Sequence, residues 1–302
     1  MMKPEELRSK LKGVIAFPVT PFQTNLDLDI DGLRRNLRML LRHPVAAVVA
    51  PASTGEAFSL LAAEHREVVQ ATLQEVDGRA PVLTAVGVNG PSATKLAQQS
   101  AALGVDGILA FPPYYPGAEE EGLADYYAAI GASTPLGMIV YSRDWVNPSP
   151  AGVEKIAAKC PTLVAWKDGQ ADMRRLSQIM ARLGDRLAWI GGAGDDCVPA
   201  YYSLGIRAYT SSIANVAPKV SWELHEKAAA GDVAGLKKTM NELVLPLYAF
   251  RSRRKGYEVT VMKEMMMMLG MSGGPVRPPL ARLKPDEIEE LRKLTEKWKP
   301  YV

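Results

Sequence analysis

Lys167 is the residue whose type and place carry the most chemistry. It ends the apolar run Leu163-Val164-Ala165-Trp166 and is followed by Asp168-Gly169. An amine at the end of a buried strand is partly desolvated, and desolvation favours its neutral form. A neutral amine attacks a ketone to give an imine, and the protonated imine is an electron sink. A rim lysine paired with Asp168 fits the residues by themselves equally well. Tyr141 closes another such run, Met138-Ile139-Val140, ahead of Ser142-Arg143-Asp144. On a strand beside that of Lys167, its phenol can carry protons to and from the carbinolamine and the substrate carbon. Away from Lys167, it would only tie down a loop.

Two turns offer binding groups. Ala52-Ser53-Thr54-Gly55-Glu56 sets two hydroxyls and several backbone N–H groups beside a glycine, a cradle suited to a carboxylate. The same letters also make an ordinary helix cap. Gly191-Gly192-Ala193-Gly194 precedes Asp195-Asp196, whose charge argues against phosphate and for a glycine-rich turn admitting substrate. The basic cluster Arg251-Ser252-Arg253-Arg254-Lys255 reads as a solvated helix end. Without interleaved aromatic platforms it gives no nucleic-acid surface.

These residues need a scaffold, and the chain alternates in a way that supplies one. Apolar, β-branched runs occupy 13–17, 45–50, 81–86, 107–110, 136–141, 163–166, 187–190 and 207–210. Amphipathic segments lie between them, with Leu33, Leu37, Leu40 and Leu41 as one stripe and Leu176, Ile179 and Leu183 as another. Asp29, Pro91-Ser92 and Pro148-Ser149-Pro150 mark helix starts. Strand–helix units in this number predict a parallel (β/α)8 TIM barrel over residues 1–220, with active groups at the C-terminal strand ends. A doubly wound sheet is the alternative, but Phe17-Pro18-Val19-Thr20-Pro21 is not a dinucleotide turn. From 221 to 302 no strand is expected. Helices over 236–248, 257–269 and 286–298 form a C-terminal helical extension packed on the barrel. The prolines of Pro275-Val276-Arg277-Pro278-Pro279 make an extended linker. Met265-Met266-Met267-Met268 suits a buried helix face, or a subunit contact.

Composition narrows the partners. Of 302 residues 47% are hydrophobic and 23% charged, with a net charge of +3. That balance fits a globular protein and gives no reason to expect nucleic acid or an anionic membrane as partner. Two cysteines make no disulfide framework, and three separated histidines show no metal spacing, so no metal or other cofactor is expected. No apolar run is long enough for a membrane helix, and the charged N-terminus lacks a signal core. The cytoplasm is the simplest address.

The chain resembles the dihydrodipicolinate synthase and N-acetylneuraminate lyase superfamily of Schiff-base-forming barrel enzymes. Thr20-Pro21-Phe22, Ser53-Thr54-Gly55-Glu56, Pro113-Tyr114-Tyr115, Tyr141-Ser142-Arg143, Trp166-Lys167-Asp168-Gly169 and Ile213-Ala214-Asn215 carry the resemblance, in order and over nearly the whole length. It implies Lys167 as the imine-forming lysine, Tyr141 as the proton relay, and Thr54 with Ser53 as holder of the 2-oxo carboxylate. Tyr115 would complete the relay from a neighbouring subunit, which implies a homo-oligomer, a dimer or a tetramer. Gly192, Thr210 and Ser211 fall among the implied substrate-binding positions, and Arg143 would meet a distal carboxylate.

Within that superfamily, Tyr141-Ser142-Arg143-Asp144, Tyr209-Thr210-Ser211-Ser212, Arg254-Lys255-Gly256-Tyr257 and Gly274-Pro275-Val276-Arg277-Pro278-Pro279-Leu280 look most like the 5-dehydro-4-deoxyglucarate dehydratase branch. Dehydration and decarboxylation of a 2-oxo-3-deoxy sugar diacid to 2,5-dioxopentanoate is the activity this implies. Ser53 and Gly194-Asp195-Asp196 are more similar to the lyase and synthase branches. A synthase or aldolase using pyruvate is therefore the alternative, and a catalytically silent barrel a more distant one.

Overall fold

Strand and helix follow from two periodicities, 2 for the buried runs and 3.6 for the segments between them. The computed structural model describes residues 2–302. Its elements begin with α1 (Pro4–Lys10), β1 (Gly13–Ala16), α2 (Ile30–Leu40), β2 (Ala47–Val49), α3 (Ala62–Val76), β3 (Val82–Val88) and α4 (Gly90–Leu103). Next come β4 (Gly107–Pro113), α5 (Glu120–Ala132), β5 (Gly137–Ser142), α6 (Pro150–Lys159), β6 (Leu163–Asp168) and α7 (Met173–Leu183). After them stand β7 (Ala188–Gly191), α8 (Val198–Ser203), β8 (Ala208–Ser211) and α9 (Pro218–Ala230). All neighbouring strands pair in parallel, and β8 returns to β1, so the sheet closes into a (β/α)8 barrel. Each apolar run read as a strand is one, with its ends moved by a few residues. Asp29 and Ser149 cap α2 and α6 by accepting from the backbone N–H groups of Gly32 and Gly152.

Alternation sorts the strand residues. Leu109, Ile139, Tyr141, Ala165 and Ile190 pack in the barrel interior, with Leu7 and Leu11 of the N-terminal segment in the same cluster. Leu7 is fully buried, and a side chain on Gly107 or Gly137 would run into it. Ile108, Ala110, Met138, Val140 and Trp166 face outward into the layer shared with the helices. One irregularity interrupts the β5–β6 ladder. Met138 pairs with Leu163, but Ile139 pairs with Ala165, so β6 carries an extra residue and Tyr141 comes opposite Lys167.

The change of pattern expected at 220/221 falls inside α9, which follows β8 and packs against β1. Beyond it lie α10 (Val233–Thr239), a π-helical turn at Met240–Val244, α11 (Leu245–Arg251), α12 (Tyr257–Met268) and α13 (Pro285–Thr295). Leu236, Leu247, Phe250, Val261, Leu291 and Trp298 from these helices share one core with Val19, Ile213 and Val216 of the barrel. Met265 and Met266 are buried in that core, whereas Met267 is exposed. The extended segment after α12 returns to the start of the barrel. There Arg277 donates to the carbonyls of Leu26 and Ser59 and forks onto Glu64.

Candidate active site

Lys167 ends up inside the barrel mouth because it alternates with Trp166, which is spent on the outer layer. Its side chain is 3% exposed. The Nζ donates to the Gly192 carbonyl at 3.2 Å and sits 3.1 Å from the centroid of the Tyr141 ring. Phe17 closes another side at 5.3 Å. Burial pushes the amine well below the ordinary lysine range, and the positive Arg143 pushes it further, with Asp168 opposing. Asp168 does not form the rim pair that the residues left open. Neighbours on a strand face opposite ways, and its carboxylate accepts from Tyr201 Oη at 2.8 Å and from the N–H groups of Gln170 and Ala171. The amine therefore meets a neutral carbonyl and two aromatic faces, surroundings that keep it uncharged and nucleophilic.

Tyr141 is 5% exposed, and burial raises its phenol above the usual range. Two glycines let these side chains stand so close. A Cβ on Gly192 would fall 2.5 Å from Lys167 Cγ, and one on Gly169 2.6 Å from Tyr141 Cε2. Side chains cannot be added at either place without moving the amine or the phenol.

Around them is a cavity of about 490 Å³, large enough for a six-carbon acid. Ser53, Thr54, Arg143, Gly192, Thr210 and Ser211 all line it with Lys167 and Tyr141. The Ser53–Glu56 turn is fixed from two sides. The Gly55 carbonyl accepts from Thr20 Oγ1 at 2.6 Å. Glu56, fully buried, takes Lys263 Nζ at 2.5 Å and the Arg277 N–H at 2.9 Å. Arg143 lies near two carboxylates, Asp144 at 3.1 Å and Glu258 at 3.6 Å. Thr210 donates to the Gly191 carbonyl. Ser211 is committed elsewhere: its hydroxyl donates to Asp195, contacts Ser221 Oγ and accepts from the Ala214 N–H. Tyr115 is not in the cavity. It is 72% exposed beyond β4. Its neighbour Tyr114 borders an adjoining apolar recess of about 220 Å³ with Phe58, Val88 and Trp145.

The C-terminal helices supply wall residues that sequence reasoning missed, namely Tyr248, Arg251 and Glu258. The basic cluster expected to be solvated is split. Lys255 is almost fully exposed and Arg253 pairs with Glu290, but Arg251 is buried. A signal was present. Arg251 continues the stripe Leu243, Leu247, Phe250 at helical spacing, so it falls on the packed face. Among the described residues no group of three His, Cys, Asp or Glu side chains could hold a metal ion, and no helix is long and apolar enough to cross a membrane.

Comparison with known proteins places this geometry in a lineage. The model of the dihydrodipicolinate synthetase family matches residues 10–298. A protein of Bradyrhizobium sp. (strain ORS 278), named a probable 5-dehydro-4-deoxyglucarate dehydratase, is 36% identical over 97% of this chain and 94% of its own. One of the same name from Ralstonia nicotianae is 38% identical over 93% and 91%. Among solved structures, dihydrodipicolinate synthase from Oceanobacillus iheyensis superposes with a TM-score of 0.93 at 26% identity, over 99% of this chain and 100% of that one. Sequence and fold agree along almost the whole length, and the chain belongs to the dihydrodipicolinate synthetase family.

Proposed function

We propose that this protein is an imine-forming lyase that dehydrates and decarboxylates 5-dehydro-4-deoxyglucarate to 2,5-dioxopentanoate. One observation carries the imine chemistry: the Lys167 amine is buried at the cavity floor, without a carboxylate partner, against the Tyr141 ring. The names of full-length relatives at 36–38% identity favour this substrate.

In this reading Ser53 and Thr54 hold the carboxylate beside the ketone. Lys167 Nζ adds to the 2-oxo carbon, and Tyr141 moves the protons that turn the carbinolamine hydroxyl into departing water. The iminium acidifies the adjoining CH₂. Loss of a proton there gives an enamine, which expels the hydroxyl one carbon further on, as water once protonated. The conjugated iminium then takes up the electron pair released as the far carboxylate leaves as CO₂. Protonation and hydrolysis return Lys167 and 2,5-dioxopentanoate, which keeps the carboxylate next to the ketone. Gly192 and Thr210 shape the wall beside the reacting carbons. The barrel carries the chemistry, and the C-terminal helices close the far end. Tyr115 reaches the relay of a second copy of the chain in a cytoplasmic homo-oligomer.

The test is direct. Borohydride with pyruvate should leave a reduced adduct on the Lys167 peptide, read by mass spectrometry, and the diacid should yield CO₂ and 2,5-dioxopentanoate. An unmodified peptide would overturn the imine reading. Adduct formation with release or consumption of pyruvate, and no CO₂, would point to an aldolase or synthase of the same chemistry.

A further inference from the structure

The cavity holds two guanidinium groups, and they differ in what already neutralises them. Arg143 has Asp144 and Glu258 beside it at 3.1 Å and 3.6 Å. Arg251, 8% exposed, gives Nη1 to Ser212 Oγ at 2.9 Å and Nη2 to the Glu258 backbone carbonyl at 3.2 Å. Both of those partners are neutral. Its Nε is buried with no hydrogen-bond partner. Among the described residues no carboxylate forms an ion pair with it. Asp195 is committed to Ser211, to Tyr248 Oη at 2.8 Å and to the Ser212 N–H. Asp195 and Asp196 feel the Arg251 charge only at longer range. The Tyr248 ring backs the guanidinium at 4.5 Å and fixes its plane. A buried cation without a counter-ion is costly, and a planar fork held rigidly suits a carboxylate.

We propose that Arg251 receives the second, far carboxylate of a 2-oxo diacid and makes the cavity select diacids over monoacids. This deepens the reading of Lys167 as the imine-forming amine and rests on it. The charge balance explains the choice of Arg251 over Arg143: a carboxylate approaching Arg143 must compete with Asp144 and Glu258, whereas Arg251 has no such competitor. The chemistry adds a constraint. The far carboxylate is the one lost as CO₂, and an ion pair with it weakens as CO₂ forms, so the pair cannot lower the barrier of that step. Arg251 acts on binding, and its removal raises KM far more than it lowers kcat.

Borohydride trapping on Lys167 reads this without turnover. The probes are 2-oxoadipate, 2-oxohexanoate and pyruvate, each titrated against wild type, Arg251→Gln and Arg251→Lys. Wild type should half-saturate with 2-oxoadipate at a concentration at least tenfold below that for 2-oxohexanoate. Arg251→Gln should erase the preference and Arg251→Lys keep part of it, while pyruvate trapping stays within threefold in both. A preference retained in Arg251→Gln overturns the proposal. So does an equal loss for all three acids, since that is a structural defect. Failure of the imine reading looks different, because wild type then gives no adduct even with pyruvate. In that case calorimetric titration with adipate against hexanoate decides: equal adipate affinity for wild type and Arg251→Gln overturns the role of Arg251, and a loss confined to adipate upholds it.

Discussion

Tyr141 and Lys167 are register partners on β5 and β6, and the lysine amine rests on the face of the phenol ring, 3.1 Å from its centroid. The ring and the Gly192 carbonyl stand where water or a carboxylate would otherwise solvate an ammonium. An aromatic face attracts a cation only modestly, about 0.5–2 kcal/mol. That cannot offset the loss of hydration, so the neutral amine is the favoured form.

The pH dependence of imine formation follows. The rate of trapping pyruvate should rise with pH along a limb placed well below the value near 10.4 of a solvated lysine. Arg143→Gln removes a nearby positive charge and should move that limb to higher pH. A limb at the ordinary lysine position in wild type would mean that the amine is solvated.

Stability should respond with a definite sign. Folded Lys167 binds its proton more weakly than the unfolded chain does. Between the folded and unfolded pKa values the unfolded state holds more protons. The penalty is therefore complete below the folded value and fades as pH rises toward about 10.4. Lys167→Met removes it. The variant should lose all turnover, melt above wild type at pH 7, and lose that advantage as the pH approaches 10. Thermal melts across the pH series measure this; a wild type at least as stable as the variant at every pH contradicts it.

Tyr141→Phe keeps the ring under the amine and removes only the hydroxyl. Turnover should fall by about 10²–10⁴, the size of a positioned proton-transfer group. Adduct formation after long incubation should persist. Turnover within twofold of wild type would exclude the relay.

Lys263 and Glu56 form a buried pair between α12 and the turn that carries Thr54. Burial draws the Lys263 amine down to about 8 against the pull of Glu56. Removing either partner leaves the other charge buried and should cost roughly 3–5 kcal/mol. The double variant Glu56→Gln, Lys263→Met should be less destabilised than the sum of the singles, as urea denaturation will show. Additive losses would mean that the pair is not coupled.

Tyr115 offers a test of assembly. If it serves the cavity of a second copy, Lys167→Ala and Tyr115→Phe proteins, each nearly inactive, should regain activity when unfolded and refolded together. Mixed oligomers then hold some sites with both residues intact. No recovery, with mixed oligomers present by mass spectrometry, would remove the trans role.

Much of this was readable from the chain. Apolar runs ending in Tyr141 and Lys167 marked strands, and helical stripes between them marked the crossovers, because burial on one face imposes a period on residues close in sequence. The C-terminal helices were legible for the same reason. Charge alone does not reveal Arg251: a run of basic residues suggests one solvated unit, whereas helical geometry turns successive residues through about 100° and sends its first member inward.

What local periodicity could not decide was register and long-range pairing. The extra residue in β6 sets Tyr141 opposite Lys167; regular pairing from Met138 and Leu163 would have set it opposite Trp166. The irregularity lies in the pairing of two strands, and no local pattern in either strand announces it. Likewise Glu56 meets Lys263 across 207 positions, and Asp195 spends its charge on Ser211 and Tyr248. Those choices are made by packing between distant segments, and they determine which charges face the cavity and which are already satisfied.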